Sequence, residues 1–169
     1  MKNIILAFFI LFSFCSLSQE KKIDSLLANI SSAKNTDVQI KKLNELARFY
    51  LYYSPKKALQ YIDKAILLAE ENSNLSGEII SNINLGFYYI RIDEYRNSRT
   101  ILRNALKSAK AINNLALAGE ASYLMARANN GIGRYDFSMN KLIQAETFYD
   151  SAKYYNYMGR VYETMGDLN

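Results

Sequence analysis

The sequence predicts an all-α chain built as a solenoid of antiparallel helix hairpins, and three observations predict it. Tyr95, Ser98, Leu102 and Ala105 return 40 residues later as Tyr135, Ser138, Leu142 and Ala145, and 40 residues before the last three of the first set stand Ala58, Ile62 and Ala65. No segment sustains the apolar–polar alternation of a half-buried strand. A single proline, Pro55, interrupts the chain. Large and small apolar residues recurring at one period are what stacked hairpins require. One hairpin cannot bury its apolar face alone, so neighbours must share a core.

Residues 1–18 read as a signal peptide. Lys2 gives a charged start, Ile4 to Phe14 form an apolar run broken only by Ser13, and Ser16-Leu17-Ser18 is a small-x-small cleavage site before Gln19. The run is shorter than the roughly 20 residues of a membrane span. Cys15 raises the alternative of a lipid anchor, but Phe14 stands where lipoprotein processing takes a small residue. Export to the periplasm or beyond is expected, with an uncleaved or lipidated anchor as the alternative, and no later stretch is apolar enough to span a membrane.

A leading helix is expected over 19–35, with Ile23, Leu26, Leu27 and Ile30 on one face. Asn35 and Thr36 then supply a break and an N-cap. The repeat domain covers 36–169. In its first repeat, about 36–74, a helix over 37–52 carries Ile40, Leu43, Leu46, Ala47 and Tyr50 on one face. Ser54-Pro55 opens the second helix, because serine can cap and proline at the first position loses no needed N–H. That helix reaches about Asn72 and buries Ala58, Ile62, Ala65, Ile66 and Ala69, before a polar turn over 72–77. The second repeat, about 75–114, pairs a helix over 78–92 with one capped by Asp93 and ending near Ile112. The third, about 115–150, pairs 116–130 with 135–147 around a turn at Gly131 to Gly133. A partial fourth, 151–169, holds one helix from about Ser151 to Met165.

Two absences exclude whole classes of chemistry. The chain has no histidine, and its one cysteine, Cys15, lies in the leader. Ser-His-Asp and Cys-His catalysis, histidine phosphoacceptors and His or Cys metal sites are unavailable. No catalytic residue, cofactor or metal site is assigned, and an enzyme is not expected. A mature chain could form no disulfide, so stability must come from the repeated core. Lys and Arg total 21 against 16 Asp and Glu, a formal charge of +5. These charges spread along helix faces with no run of five like charges, so no nucleic-acid partner is assigned. Gly131-Ile132-Gly133 lacks the Gly-Lys-Ser/Thr of a phosphate loop. Glu70 and Glu71 are helix neighbours that do not converge. Asn29-Ile30-Ser31 and Asn74-Leu75-Ser76 fit the short glycosylation pattern.

The tyrosine-rich segments Phe49-Tyr50-Leu51-Tyr52-Tyr53, Phe87-Tyr88-Tyr89 and Tyr154-Tyr155-Asn156-Tyr157 read as core filling with hydroxyls at the rim, in preference to nucleic-acid stacking.

In its repeat residues the chain resembles the tetratricopeptide repeat family. The second repeat matches best, with Leu85-Gly86, Tyr89, Asp93, Tyr95, Ser98, Leu102 and Ala105. The first offers Leu46-Ala47, Tyr50, Ala58, Ile62 and Ala65, with its turn one residue shorter. The third offers Met125-Ala126, Gly133, Tyr135, Ser138, Leu142 and Ala145, with Asn129 where an aromatic is usual. The fourth begins with Tyr155, Met158-Gly159, Tyr162 and Gly166-Asp167. The resemblance implies a right-handed superhelix. It places Gly86, Ala47, Ala126 and Gly159 where hairpin helices approach, Ala65, Ala105 and Ala145 between neighbouring helices, and Tyr95 and Tyr135 beside the turns. A period of 40 instead of the family's 34 implies helices longer by nearly a turn each. The last repeat would be incomplete, leaving Met158, Val161, Tyr162 and Met165 partly uncovered and open to self-association.

The same resemblance implies a protein or peptide ligand in a groove lined by the first helix of each repeat. Carried over by position, the groove residues are Lys41, Asn44, Arg48 and Tyr52, then Ile83, Phe87 and Arg91, then Tyr123, Arg127 and Asn130, and finally Asn156 and Arg160; Ile80, Glu120 and Lys153 fall at further groove positions. Arg48, Arg127 and Arg160 share one repeat position and would form a basic row around Phe87 and Tyr123, suited to carboxylates. The same arginines can equally be solvated side chains at the rim of the core. Exported chains with 40-residue repeats resemble the sensor halves of bacterial regulators, so the expected role is the input part of a signal-transduction or transcription-regulatory protein. The alternative is a secreted or anchored scaffold for complex assembly or nutrient uptake.

Overall fold

The computed structural model describes residues 27–28 and 35–168. The expected signal peptide, most of the expected leading helix and the Asn29 acceptor pattern lie outside them. The described chain forms α1 (Thr36–Tyr53), α2 (Pro55–Glu71), α3 (Leu75–Arg91), α4 (Tyr95–Ala111), α5 (Leu115–Gly131), α6 (Tyr135–Ser151), a 3-10 turn (Tyr155–Tyr157) and α7 (Met158–Gly166). Each helix packs on the next, and α3 also touches both α1 and α5. This is an all-α repeat solenoid, with α1, α3 and α5 side by side in one layer and α2, α4 and α6 in the other.

The register is stricter than a 40-residue repeat. Pro55, Leu75, Tyr95, Leu115 and Tyr135 open successive 17-residue helices at intervals of 20. Between them lie three-residue turns whose middle residues, Ser73, Asp93, Asn113 and Gly133, have φ of 53° to 71°, and Lys153 repeats the conformation after α6 at 58°. Each turn closes in the same way. Asn74 N–H reaches back to the Ala69 carbonyl and Ser73 N–H to that of Glu70, and the bonds recur at Glu94, Asn114, Arg134 and Tyr154. This is the left-handed helix stop, which satisfies the last carbonyls of the helix. Asp93 therefore does not cap α4 as expected. It occupies the left-handed position, where its carboxylate accepts the Tyr95 hydroxyl at 2.6 Å.

Caps alternate with the repeat. Asn35, Asn74 and Asn114 accept backbone N–H groups at the starts of α1, α3 and α5. Ser54 stands before Pro55 without a side-chain cap bond. Tyr154 holds the position equivalent to Asn74 and Asn114 but makes no cap bond. Residues 155–157 wind as a 3-10 turn, and α7 starts only at Met158. The single helix expected from about Ser151 is thus a helix end, a turn and a shorter helix.

The core follows the repeat. Leu46, Ile62, Leu102, Leu142 and Val161 are fully buried, with Ala47, Ala65, Ala105, Ala126 and Ala145 between the helices. A Cβ on Gly86 would stand 2.4 Å from Leu102 Cγ, so the close approach of α3 and α4 requires glycine there. Tyr95 packs against Gly131, where a Cβ would lie 2.4 Å from the ring. Tyr135 and Gly159 depart from expectation. Tyr135 is exposed, and a Cβ on Gly159 would meet nothing within 4 Å, because no described helix lies against them. On α7, Val161 is buried and Met158 and Met165 pack on the core, while Tyr162 stays exposed with its hydroxyl on Glu146 at 2.7 Å. Among the described residues no helix is long and apolar enough to cross a membrane.

Candidate ligand groove

A cavity of about 440 Å³ opens on the α1–α3–α5 layer. Lys41, Asn44, Glu45 and Arg48 reach it from α1, Ile80, Ile83 and Asn84 from α3, and Leu117 and Glu120 from α5, with Tyr149, Tyr154 and Tyr157 closing one side. Helical spacing explains the set: positions 41, 44, 45 and 48 share a face of α1, as 80, 83, 84 and 87 share a face of α3. Beneath the cavity a buried polar strip joins α1 to α3. Asn44 donates to Ser81 Oγ at 2.9 Å and to the Ile40 carbonyl at 3.1 Å, and accepts from Asn84 Nδ2 at 2.8 Å. Inside an apolar core, amides pair in one register only, which fixes the slide of the two helices.

Arg48 spans the layer. Its Nη1 donates to Glu120 Oε1 at 2.6 Å, and Nη2 donates to the same oxygen. Arg48 is on α1 and Glu120 on α5, with α3 between. The pair bridges the layer over α3 beside the cavity, so this face of the molecule is recessed.

The arginines at one repeat position are engaged in two ways, one with a carboxylate and two over aromatic rings. Arg48 holds Glu120. Arg127 covers the ring of Phe87 at 5.2 Å, and Tyr52 meets Phe87 edge-on at 5.6 Å. Arg160 covers Tyr123 at 5.0 Å and Tyr157 at 4.6 Å. Phe87, Ile83 and Tyr123 are buried, so a molecule on this face would meet the arginines that cover the rings. Arg91 donates from Nε to the Leu51 carbonyl at 3.0 Å. Lys41 and Asn156 are exposed and Asn130 half-buried; of these only Lys41 borders the cavity. The cavity thus gathers Lys41, Asn44, Arg48 and Ile83 from the expected groove. Tyr52, Phe87 and Arg127 form a second cluster toward the C-terminal ends of α1, α3 and α5.

The expected groove did not include Tyr149. Its side chain is 1% exposed, and its hydroxyl has no hydrogen-bond partner. Burial raises its pKa, with the Glu120 charge adding to the shift and those of Arg160 and Arg48 opposing it, so the phenol stays a neutral donor. The ring stacks on Tyr157 at 5.5 Å, and Tyr157 stacks on Tyr154 at 5.4 Å. A Cβ on Gly119 would stand 2.8 Å from the Tyr149 ring, so glycine leaves it room. The tyrosine run at 154–157 was legible; that it folds back over α6 toward α5 was not. No protein-family model matches the chain, and no curated protein matches it.

Proposed function

We propose that the chain is a non-catalytic module of the cell envelope that binds a protein or peptide along its recessed α1–α3–α5 face. The observation that carries this reading is the Arg48–Glu120 tie across α3 beside a cavity bordered by exposed cationic and aromatic side chains. The tetratricopeptide-like repeat residues and the leader-like N-terminus support the same role. The module fits the input part of a signal-transduction or regulatory protein, with an envelope scaffold as the second reading.

The test uses the single-cysteine leader. A chain beginning at Gln19 contains no cysteine, so Lys41→Cys and Lys107→Cys each give a unique attachment point for a photo-cross-linker. Lys41 borders the cavity, and Lys107 is exposed on α4 in the opposite layer. Incubated with envelope extract, the probe at position 41 should capture partner bands that the probe at 107 does not. Equal capture from both positions, or capture from 107 alone, overturns the groove.

A further inference from the structure

We infer that the outer face of α4 docks on a bilayer containing anionic phospholipid, through a stripe of Arg96, Arg99, Arg103, Lys107 and Lys110. The stripe lies in the layer opposite the cavity and shares no residue with it.

The net charge of the chain is the charge of this one helix. Of the 21 basic side chains five are on α4, which has no acidic one, and the 16 that remain match the 16 acidic residues of the whole chain. At the helical repeat the five fall within about 80° of one another around the axis and extend over about 21 Å. Arg96, Arg103, Lys107 and Lys110 are exposed and Arg99 is half-buried. The ion pairs among the described residues, Lys42–Glu45 and Arg48–Glu120, involve none of them. Arg134 and Lys141 crowd the stripe from α6. Burial and the charges of Arg134 and Arg103 lower the pKa of Arg99, and burial and the charges of Lys110 and Arg103 lower that of Lys141. A surface of fixed negative charge relieves this repulsion.

Apolar side chains on the flanking helices decide between kinds of anionic partner. Residues 40 apart hold equal places on the helices of one layer, so Leu67 on α2 faces as Lys107 does, and Ile143 on α6 as Arg103 does. Both are exposed, at 57% and 50%. In the same register Asp63 and Glu70 of α2 and Asp136 and Asp150 of α6 border the stripe. These carboxylates confine the positive field to α4 and its attraction to close range. A nucleic-acid duplex offers phosphates but nothing to cover a leucine and an isoleucine. A bilayer offers phosphates at its headgroups and hydrocarbon just beneath them, and an anionic membrane surface attracts each nearby Lys or Arg. The stems of these long side chains can lie along apolar surface while their charges stay at the headgroups.

The probes are vesicles of phosphatidylcholine alone, vesicles of phosphatidylcholine with an equal part of phosphatidylglycerol, and a random-sequence DNA duplex. The chain from Gln19, free of the apolar leader, should float with the mixed vesicles and not with phosphatidylcholine, and added salt should release it. Arg103→Gln with Lys107→Gln should weaken vesicle binding by about twentyfold or more, at about fivefold for each charge near an anionic surface. Lys41→Gln with Lys153→Gln removes the same charge elsewhere and should leave binding within about threefold. Leu67→Ser with Ile143→Ser should weaken vesicle binding as well. All six positions are exposed, so the variants should melt with the parent. No flotation with the mixed vesicles, equal flotation with both kinds, or equal losses from the two charge pairs overturns the inference. DNA bound as tightly as the mixed vesicles, with the two serine changes having no effect, assigns the stripe to polyanions in general and overturns the bilayer. A bilayer at α4 gives no protein band from the probe at position 107, so failure here leaves the groove reading untouched.

Discussion

Single residues set the closest tolerances of this chain. Gly86 sits where a Cβ would lie 2.4 Å from Leu102 Cγ, and Leu102 is fully buried with no free space to yield. Helix propensity alone favours alanine over glycine by about 1 kcal/mol, yet overpacking costs about 1–3 kcal/mol. Gly86→Leu should therefore lower the melting temperature, and Gly86→Ala should fail to raise it; a thermal melt with Gly86→Leu as stable as the parent removes the contact. Tyr149 makes a pH-dependent contribution. Its folded-state pKa is raised by burial, so the stability tied to the neutral phenol is fully present below the unfolded value near 10 and is lost as pH rises through and above it. Denaturant melts at about pH 8 and about pH 11 should show a larger loss for the parent than for Tyr149→Phe, the excess being the cost of ionising a buried phenol. Equal losses would mean that the hydroxyl reaches water.

Elements are set by their stops more than by their propensities. The turn residues at 73, 93, 113, 133 and 153 all take the left-handed conformation, and only position 133 is glycine. Side chains with a Cβ pay about 1–2 kcal/mol there, with Asn and Asp the better tolerated of the rest. Lys153 is long and has no short acceptor for the local backbone, so Lys153→Gly should raise stability by about 0.5–1 kcal/mol, read by chemical denaturation. Gly133→Ala should lower it by a similar or larger amount. An unchanged midpoint for both would show that the turns carry no strain. The 20-residue interval was legible in Ile92, Ile112 and Ile132, each just before a left-handed residue. The side chains of core and cap recur only every 40 residues, because the two helices of a hairpin differ, while the turn backbone repeats every 20.

Across the whole molecule, stability is graded along the solenoid. The middle helices α3 to α5 have neighbours on both sides, whereas α7 has nine residues, one of them fully buried, and packs on α6. Amides of α7 should exchange much faster than those of α3 and α4, because local opening of a terminal element exposes little surface. Hydrogen exchange in a monomer that protects α7 as well as α3 contradicts this. The exposed rings of Tyr135, Phe137 and Tyr162 stand on the same terminal hairpin and helix, and concentration-dependent sedimentation would read any association through them.

The sequence by itself determined the helical class, the hairpin order, the core positions and the glycine at 86, since all of these are encoded within one period or by its recurrence. It also placed Arg48, Arg127 and Arg160 at one repeat position. What each arginine does was decided only in three dimensions. Local pattern says which face of a helix a residue occupies, but the partner of Arg48 is Glu120, 72 residues away on the far side of α3. That pairing depends on how three helices pack side by side, which no single position of the sequence records. Tyr149 belongs to the groove for the same reason: the chain after α6 folds Tyr157 back onto its ring, a contact that no local pattern specifies.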